Sequence, residues 1–278
     1  MALLATIALT GLAVTGSALV LQPGSLGDRP AGTDTAPDLA AAAEAAAEAA
    51  PPASGGAAAS PDAAGAAPAD ADPTGPGASG TAPRPLAELT APAWVSATAA
   101  TTGIPERALA AYAGAALQLA AELPGCGIGW NTLAAVGQVE THHGTIFGGS
   151  IGSDGRVLPR IVGLPLDGGR FDAVPDSDGG ALDGDTVWDR AVGPLQFIPS
   201  TWAFAGADGD LDGRADPDDI DDAALAAARY LCAADRDLTR DDGWLAAIRS
   251  YNSSVDYGNR VSAAAEAYAA AVLGASAR

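Results

Sequence analysis

The sequence predicts a single, mainly α-helical domain over residues 91–278, preceded by a long linker. Three observations lead to this fold class. Apolar side chains recur at helical spacing through much of residues 91–278, and no segment alternates convincingly like the strands of a sheet. Residues 22–90 consist largely of Ala, Pro, Gly and Ser, which cannot bury enough apolar surface to offset the entropy lost on folding. We therefore expect residues 22–90 to be a disordered linker.

The N-terminal segment, residues 1–21, is uncharged and mostly apolar, and the helix-breaking residues 22–24 follow it. This pattern is typical of a secretory signal peptide or a membrane anchor, and the sequence leaves both open. An exported chain meets an oxidising compartment, where the two cysteines, Cys126 and Cys232, are expected to form a disulfide. The alternative is two buried thiols.

The charge of the chain limits its partners. The formal net charge is −20, and all 14 basic residues are Arg. Without a basic stripe there is nothing to bind the phosphates of a nucleic acid, so we expect no nucleic-acid partner. A polyanion held by bulk electrostatics is disfavoured for the same reason. A neutral ligand such as a carbohydrate remains open.

The predicted helices follow in chain order. Pro105 stands where a helix can begin, and helical spacing continues from there to a Pro-Gly pair at residues 124–125. A second helix is expected from Asn131 to about Gly144, with an apolar face that includes Val139. Later helices are expected over residues 199–202, 222–233, 243–251 and 260–272.

A Gly- and Asp-rich insert, residues 148–190, interrupts the helices. It predicts irregular structure with at most short strands around Val157 and Ile161. An irregular insert of this length inside a domain usually serves a function when it is ordered.

The acidic loop after residues 199–202 has the spacing of an EF-hand calcium loop. Gly213 at the sixth position permits the sharp turn, and Arg214 at the seventh would offer its backbone carbonyl. The spacing predicts a structural Ca²⁺ site, and the alternative is an acidic loop that only contacts water. The carboxylates at positions 1, 3, 5, 9 and 12 are Asp208, Asp210, Asp212, Asp216 and Asp219.

Glu140 is the candidate catalytic acid. It follows Val139 at the end of an apolar helix, whereas the other glutamates of the domain lie among polar or small residues. A half-buried carboxyl has a raised pKa, which suits general acid chemistry. The alternative is a solvated carboxylate at a helix end. His142 and His143 point in different directions, so we expect them to line or cap the site and not to bind a metal together.

Three short motifs occur in order along the chain. They are Val-Glu-Thr at residues 139–141, Gly-Pro-Leu-Gln-Phe-Ile-Pro-Ser-Thr-Trp at residues 193–202 and Ser-Tyr-Asn at residues 250–252. With the acidic loop, they resemble the lytic murein transglycosylases, most closely the membrane-bound lytic transglycosylase B type in its actinobacterial form. The family's usual Ser is Thr141 here, which keeps a hydroxyl, and Ser253 stands where His is frequent.

The resemblance implies a lysozyme-like fold of the goose type and cleavage of the β-1,4 bond between N-acetylmuramic acid and N-acetylglucosamine. Glu140 would protonate the glycosidic oxygen and then act as base on the muramic C6 hydroxyl, whose attack forms a 1,6-anhydro end. The residues implied in substrate binding are Gln196, Tyr251, Asn252, Thr141 and Thr201. We expect a monomeric lyase that acts on peptidoglycan strands in the cell-wall space, either secreted or anchored to the cytoplasmic membrane.

Two other functions remain open at this point. A hydrolytic muramidase would need a second carboxylate beside Glu140. A noncatalytic wall-binding protein would keep the fold without turnover. The candidates for the second carboxylate lie in the insert and are Asp172, Asp176, Asp178, Asp183, Asp185 and Asp189.

Overall fold

A computed structural model describes residues 83–169 and 172–276 of the chain. Within these residues the protein is mainly helical, with seven α-helices and two small antiparallel sheets, which confirms the predicted mainly helical class. The lysozyme-like arrangement of these helices stays a prediction. The predicted export segment at residues 1–21 and most of the predicted linker lie outside the described residues. The helices are α1 Pro92–Thr102, α2 Glu106–Glu122, α3 Trp130–Thr141, α4 Pro199–Ala205, α5 Ile220–Leu231, α6 Asp241–Tyr251 and α7 Val255–Ser276.

Helix α1 is the element that sequence periodicity misses. Pro92 occupies its first turn, where the absent backbone N–H costs no hydrogen bond. Its inward stripe consists only of Val95, Thr98 and Ala99, so the apolar spacing is too weak to stand out in the sequence. Helix α7 is also longer than predicted, because it begins at Val255 and continues beyond residue 272.

The core is built around α2, which packs against α3, α5 and a 3-10 helix, Leu86–Leu89. Leu86 is buried, so the packed part of the chain begins ahead of the predicted boundary at residue 91. Gly114 permits this contact, because a Cβ at that position would overlap the carbonyl group of Leu86. Helix α3 in turn packs along α7.

The insert between α3 and α4 carries all four strands of the two sheets. Strand β1 (Ser150–Ile151) pairs with β2 (Val157–Leu158), and β3 (Val162–Pro165) pairs with β4 (Arg190–Val192), both antiparallel. A single bridge joins Pro175 to Trp188. The short strand expected around Val157 is confirmed.

Cys126 and Cys232 form a disulfide, as predicted, with their Cα atoms 5.5 Å apart. The bond ties the loop after α2 to the residue that ends α5. A disulfide between two buried cysteines indicates an oxidising, extracytoplasmic location. In the part of the chain that the structure describes, no helix has both the length and the apolarity that crossing a membrane requires.

Candidate functional site

Glu140 lies in the last turn of α3, and its side chain is only 1 % exposed. The helix stops immediately afterwards, because His142 adopts a left-handed conformation with φ 49°. The apolar face of α3 holds this turn against the core through Leu133 and Val136, both fully buried. Glu140 is therefore more deeply buried than the half-buried carboxyl that its position at a helix end predicts.

The surroundings of Glu140 favour its protonated form. Its Oε1 accepts a 2.8 Å hydrogen bond from the hydroxyl of Tyr257, whereas its Oε2 is buried and has no hydrogen-bond partner among the described residues. Burial raises the pKa of Glu140 well above its ordinary value, and Tyr257 and the charge of Arg260 oppose this only in part. These surroundings therefore favour the neutral carboxyl over the carboxylate.

Tyr257 is a neighbour of Glu140 that the sequence does not predict. It lies in the first turns of α7, separated from Glu140 by 117 positions, and its side chain is fully buried. A tyrosine at the start of a helix gives no local signal of such a partner, because the contact arises only when α7 packs along α3.

A cavity of about 320 Å³ opens beside Glu140, between α3 and α7. Its walls include His142 and Ile146 on one side and Arg260 on the other. Glu140 is the only carboxyl among the lining residues, and Arg260 is the only guanidinium. The cavity gives a ligand access to a buried acid with one nearby cation.

A tight turn at residues 193–196 meets the end of α3. Gly193 has φ 77° and Gln196 has φ 50°, so both adopt the left-handed region that the turn requires. Thr141 donates a 2.6 Å hydrogen bond to the carbonyl of Pro194 and accepts one from the backbone N–H of Gly144. The structure thus brings the first and second sequence motifs into direct contact.

Tyr251 joins the third motif to the same turn. It ends α6, and its hydroxyl donates a 2.7 Å hydrogen bond to the carbonyl of Leu195. Its ring packs edge-on against Phe197 and Tyr230, with ring centroids 5.8 Å apart in each pair. Because this hydroxyl and that of Thr141 are already bonded to backbone carbonyls, both side chains hold the turn at residues 193–196 in place beside the end of α3.

Gln196, in the same turn, has an acceptor without a hydrogen-bond partner among the described residues. Its Nε2 donates to the carbonyl of Gly193 at 2.9 Å, whereas its buried Oε1 has no hydrogen-bond partner in the described part of the chain. The Oε1 atom faces Gly163 of β3. Asn252 ends α6, where its Oδ1 accepts from the backbone N–H of Ser254, and Thr201 is buried in α4. Direct contact of these residues with a ligand stays a prediction.

The two histidines have different environments. His142 is exposed and lines the cavity beside Glu140. His143 is buried, with Nδ1 3.3 Å from the hydroxyl of Tyr112 and Nε2 2.9 Å from that of Tyr268. Burial lowers the pKa of His143 to about 3, so this ring is neutral. The different directions that the sequence predicts for the pair agree with these positions, but only His142 lines the cavity.

The acidic loop brings together three carboxylates that could hold a metal ion, on Asp208, Asp210 and Asp222. One oxygen of each lies within 4.8 Å of the others. Oδ1 of Asp208 is buried and has no hydrogen-bond partner among the described residues, so an acceptor is left over at the cluster. Burial raises the pKa of Asp222 to about 7, and the nearby charges of Asp219 and Asp210 act in the same direction.

Asp222 was not among the predicted ligands, because it falls beyond the twelfth position of the loop. The predicted ligands other than Asp208 and Asp210 have other neighbours. Asp219 caps the N-terminus of α5 by accepting from the backbone N–H of Asp221, and Asp216 pairs with Arg156 at 2.9 Å. The carboxylate of Asp212 accepts from the backbone N–H of Arg214. Their roles as ligands stay predictions.

The insert contains a second carboxylate triad that could hold a metal ion, formed by Asp176, Asp178 and Asp189. These carboxylates already accept hydrogen bonds from nearby residues of the insert. Asp176 accepts from three successive backbone N–H groups, and the buried Asp189 accepts from the backbone and hydroxyl of Ser177. Asp183 and Asp185 accept from backbone N–H groups in the same way. The insert therefore uses these acids to order its own turns.

Protein-family models, curated proteins and solved structures were compared with the chain, and none of them matches it. The resemblance stated above therefore rests on the motifs at residues 139–141, 193–202 and 250–252. The geometry adds that the three motifs meet at the turn at residues 193–196, through the hydroxyls of Thr141 and Tyr251.

Proposed function

We propose that this protein is a peptidoglycan lytic transglycosylase with Glu140 as its general acid and base. The observation that carries the proposal is the state of Glu140: a buried carboxyl with one hydrogen-bond donor, one unpartnered oxygen and an adjacent cavity. Burial favours the protonated form of such a carboxyl, which can deliver its proton to a glycosidic oxygen. Once ionised, it can accept the proton of the muramic C6 hydroxyl.

The absence of a second carboxylate among the cavity-lining residues favours a transglycosylase over a muramidase. Ordinary glycoside hydrolysis uses two carboxylates at a defined separation. Five of the six insert acids that were candidates for this role accept hydrogen bonds from backbone N–H groups, namely Asp176, Asp178, Asp183, Asp185 and Asp189. In a transglycosylase the substrate's own hydroxyl attacks, and tethering in one molecule supplies a high effective concentration.

The remaining motif residues support Glu140 in this proposal. Thr141 and Tyr251 clamp the turn at residues 193–196 against α3 and α6 through the carbonyls of Pro194 and Leu195. Gln196 offers the free Oε1 acceptor for an acetamido N–H of the substrate. A rigid frame of this kind is what holding a glycosidic bond in a reactive geometry requires.

We also propose that the cluster of Asp208, Asp210 and Asp222 holds Ca²⁺ as a structural ion. The three carboxylates supply the hard oxygen donors that this cation prefers. One of these oxygens, Oδ1 of Asp208, has no hydrogen-bond partner among the described residues. A bound cation would join the loop after α4 to the first turn of α5. In this position the ion would stabilise the acidic loop and take no part in the chemistry at Glu140.

The proposal is tested by digesting purified peptidoglycan and analysing the products by mass spectrometry. We expect muropeptides with 1,6-anhydro ends from the wild type and none from Glu140→Gln. Glu106→Gln is the matched control, because Glu106 is an exposed glutamate in the first turn of α2.

Each alternative has its own result in this assay. Products with reducing ends would identify a hydrolytic muramidase. Lytic activity that persists undiminished in Glu140→Gln would refute the role of Glu140. Binding to peptidoglycan without any products would indicate the noncatalytic wall-binding protein.

A further inference from the structure

We propose that Arg260 is a carboxylate-binding residue that makes the cavity beside Glu140 selective for glycan with a free carboxylate near the scissile bond. This inference rests on the proposed function and names a narrower class of substrate for the same site.

The position of Arg260 is the first observation. It lies in α7 and lines the same cavity of about 320 Å³ as Glu140. Its side chain is 36 % exposed, so the guanidinium reaches the solvent at the edge of the cavity while part of it is covered. A ligand in the cavity therefore lies beside a positive charge as well as beside the acid.

The second observation is an unused donor on that guanidinium. The Nε of Arg260 is buried and donates no hydrogen bond within the described part of the chain. Oδ2 of Asp256 lies 3.2 Å from Nε, but not in hydrogen-bonding geometry, and the Asp256 side chain is 75 % exposed. A solvated ion pair of this kind contributes little, so Asp256 competes only weakly with a ligand for the guanidinium. A carboxylate matches the planar fork of a guanidinium through two parallel hydrogen bonds.

The charges lining the cavity indicate the sign of the ligand. With Glu140 protonated, the cavity lining contains no anion to balance Arg260. The formal charge of the whole chain is −20, so most of the charged side chains outside this cavity are acidic. An anionic group on the ligand would be drawn to Arg260 and repelled by most of the remaining surface.

Peptidoglycan offers carboxylates from two sources. N-acetylmuramic acid carries a lactyl carboxyl group, which is free when the peptide has been removed and is an amide when the peptide is present. The peptide itself carries further carboxylates. Both sources share the chemistry that Arg260 recognises, and defined substrates distinguish them.

A bound carboxylate would also affect Glu140. The positive charge of Arg260 lowers the pKa of Glu140, against the larger effect of burial. A carboxylate that pairs with Arg260 would offset this charge and strengthen the hold of Glu140 on its proton. Binding of the correct substrate would thus favour the form of Glu140 that acts as an acid.

The experiment compares kcat and KM for three substrates: peptide-free glycan strands, the same strands with their carboxyls converted to methylamides, and peptide-bearing strands. Wild type is compared with Arg260→Gln and Arg260→Lys. The matched control is Arg249→Gln, which removes the same charge from an exposed position on α6.

We expect wild type to cleave the free-carboxylate strands with a kcat/KM about tenfold or more above that of the methylamides, mainly through KM. Arg260→Gln should lose this preference, Arg260→Lys should keep part of it, and Arg249→Gln should keep all of it. Faster cleavage of peptide-bearing strands than of both peptide-free substrates, with no difference between those two, would identify the peptide as the source of the carboxylate. Equal cleavage of all three substrates by wild type, or full discrimination by Arg260→Gln, would overturn the inference.

A binding measurement separates failure of this inference from failure of the proposed function. If wild type cleaves no glycan, the proposed activity is wrong, and calorimetry with N-acetylmuramic acid and its methylamide still tests Arg260. Preference for the free acid that disappears in Arg260→Gln supports carboxylate binding. Equal binding of acid and methylamide, or binding of neither, refutes it. Equal melting temperatures of the variants and wild type verify that the fold is unchanged.

Discussion

Replacing Tyr257 with Phe tests the electrostatic state of Glu140 most directly. The hydroxyl of Tyr257 donates a 2.8 Å hydrogen bond to Oε1 of Glu140, and both side chains are buried. Because Oε2 has no partner in the described residues, Phe would leave the carboxyl without a hydrogen bond from them. The ring remains in place, so the packing at position 257 changes little.

The magnitude follows from the difference between two kinds of hydrogen bond. A bond to an ionised group contributes about 1.5–3 kcal/mol, against about 0.5–1.5 kcal/mol for a neutral pair. Loss of the Tyr257 bond therefore destabilises ionised Glu140 by about 1 kcal/mol more than protonated Glu140. That difference changes the protonation equilibrium roughly fivefold. The substitution thus raises the pKa of Glu140 further, in the direction in which burial already acts.

The assay is the pH dependence of kcat/KM on soluble glycan strands. A general acid must be protonated, so the activity falls on the basic side as Glu140 ionises. We expect the basic limb of Tyr257→Phe to lie at higher pH than that of wild type. The matched control is Tyr268→Phe, because the Tyr268 hydroxyl contacts His143 and Gln138 and not Glu140. A basic limb that stays in place or moves to lower pH in Tyr257→Phe would refute the reasoning.

Three further predictions concern stability. Burial raises the pKa of Glu140, so its contribution to stability is complete below the ordinary pKa and is lost as pH rises through the raised value. Relative to wild type, the melting temperature of Glu140→Gln should therefore increase as the pH rises above the ordinary pKa of a glutamate. The disulfide spans 106 positions, so replacing both Cys126 and Cys232 with Ser should lower the free energy of unfolding by about 4.7 kcal/mol and the melting temperature by about 10 °C or more. Millimolar Ca²⁺ should raise the melting temperature of wild type relative to that in chelator. The free energy of unfolding should increase by about 2.7 kcal/mol when Ca²⁺ is at about 100 times its Kd, and Asp222→Asn should remove this effect.

Each of these stability predictions has a control. Glu106→Gln should show no change relative to wild type over the same pH range, and a difference that is constant with pH in Glu140→Gln would contradict a raised pKa. A melting temperature that is unaffected by loss of both cysteines would show that the disulfide contributes no stability. For the metal, an equal rise with Mg²⁺ would argue against a Ca²⁺ site, and an undiminished rise in Asp222→Asn would exclude that carboxylate.

Most helices could be predicted from the sequence because a helix is specified by its own neighbours along the chain. The apolar spacing after Pro105 predicts α2 to within a residue or two, and that before Glu140 predicts α3 closely. Helix α1 could not be predicted in this way, since its buried stripe is made of small side chains. The limits of the packed domain also depend on tertiary contacts, as Leu86 demonstrates by packing on Gly114.

Some residues of the candidate site could likewise be predicted from the sequence, and others could not. Glu140 stands out in the sequence because few glutamates occur in the domain and this one follows an apolar stretch. Asp222 does not stand out, because its distance from Asp208 does not match the twelve-residue loop that the sequence suggested. Only the turn that starts α5 brings Asp222 back to the cluster.

The sequence by itself determined the helical class of this protein, the disulfide partners and the acid at residue 140. These follow from helical periodicity, from the chemistry of an exported chain and from the rarity of glutamate in the domain. Only the tertiary structure decided that Glu140 is fully buried and that Tyr257 and Arg260 are its neighbours. The physical reason is range: a helix forms from contacts a few residues apart, whereas the pKa of a carboxyl depends on groups that packing brings from more than a hundred positions away.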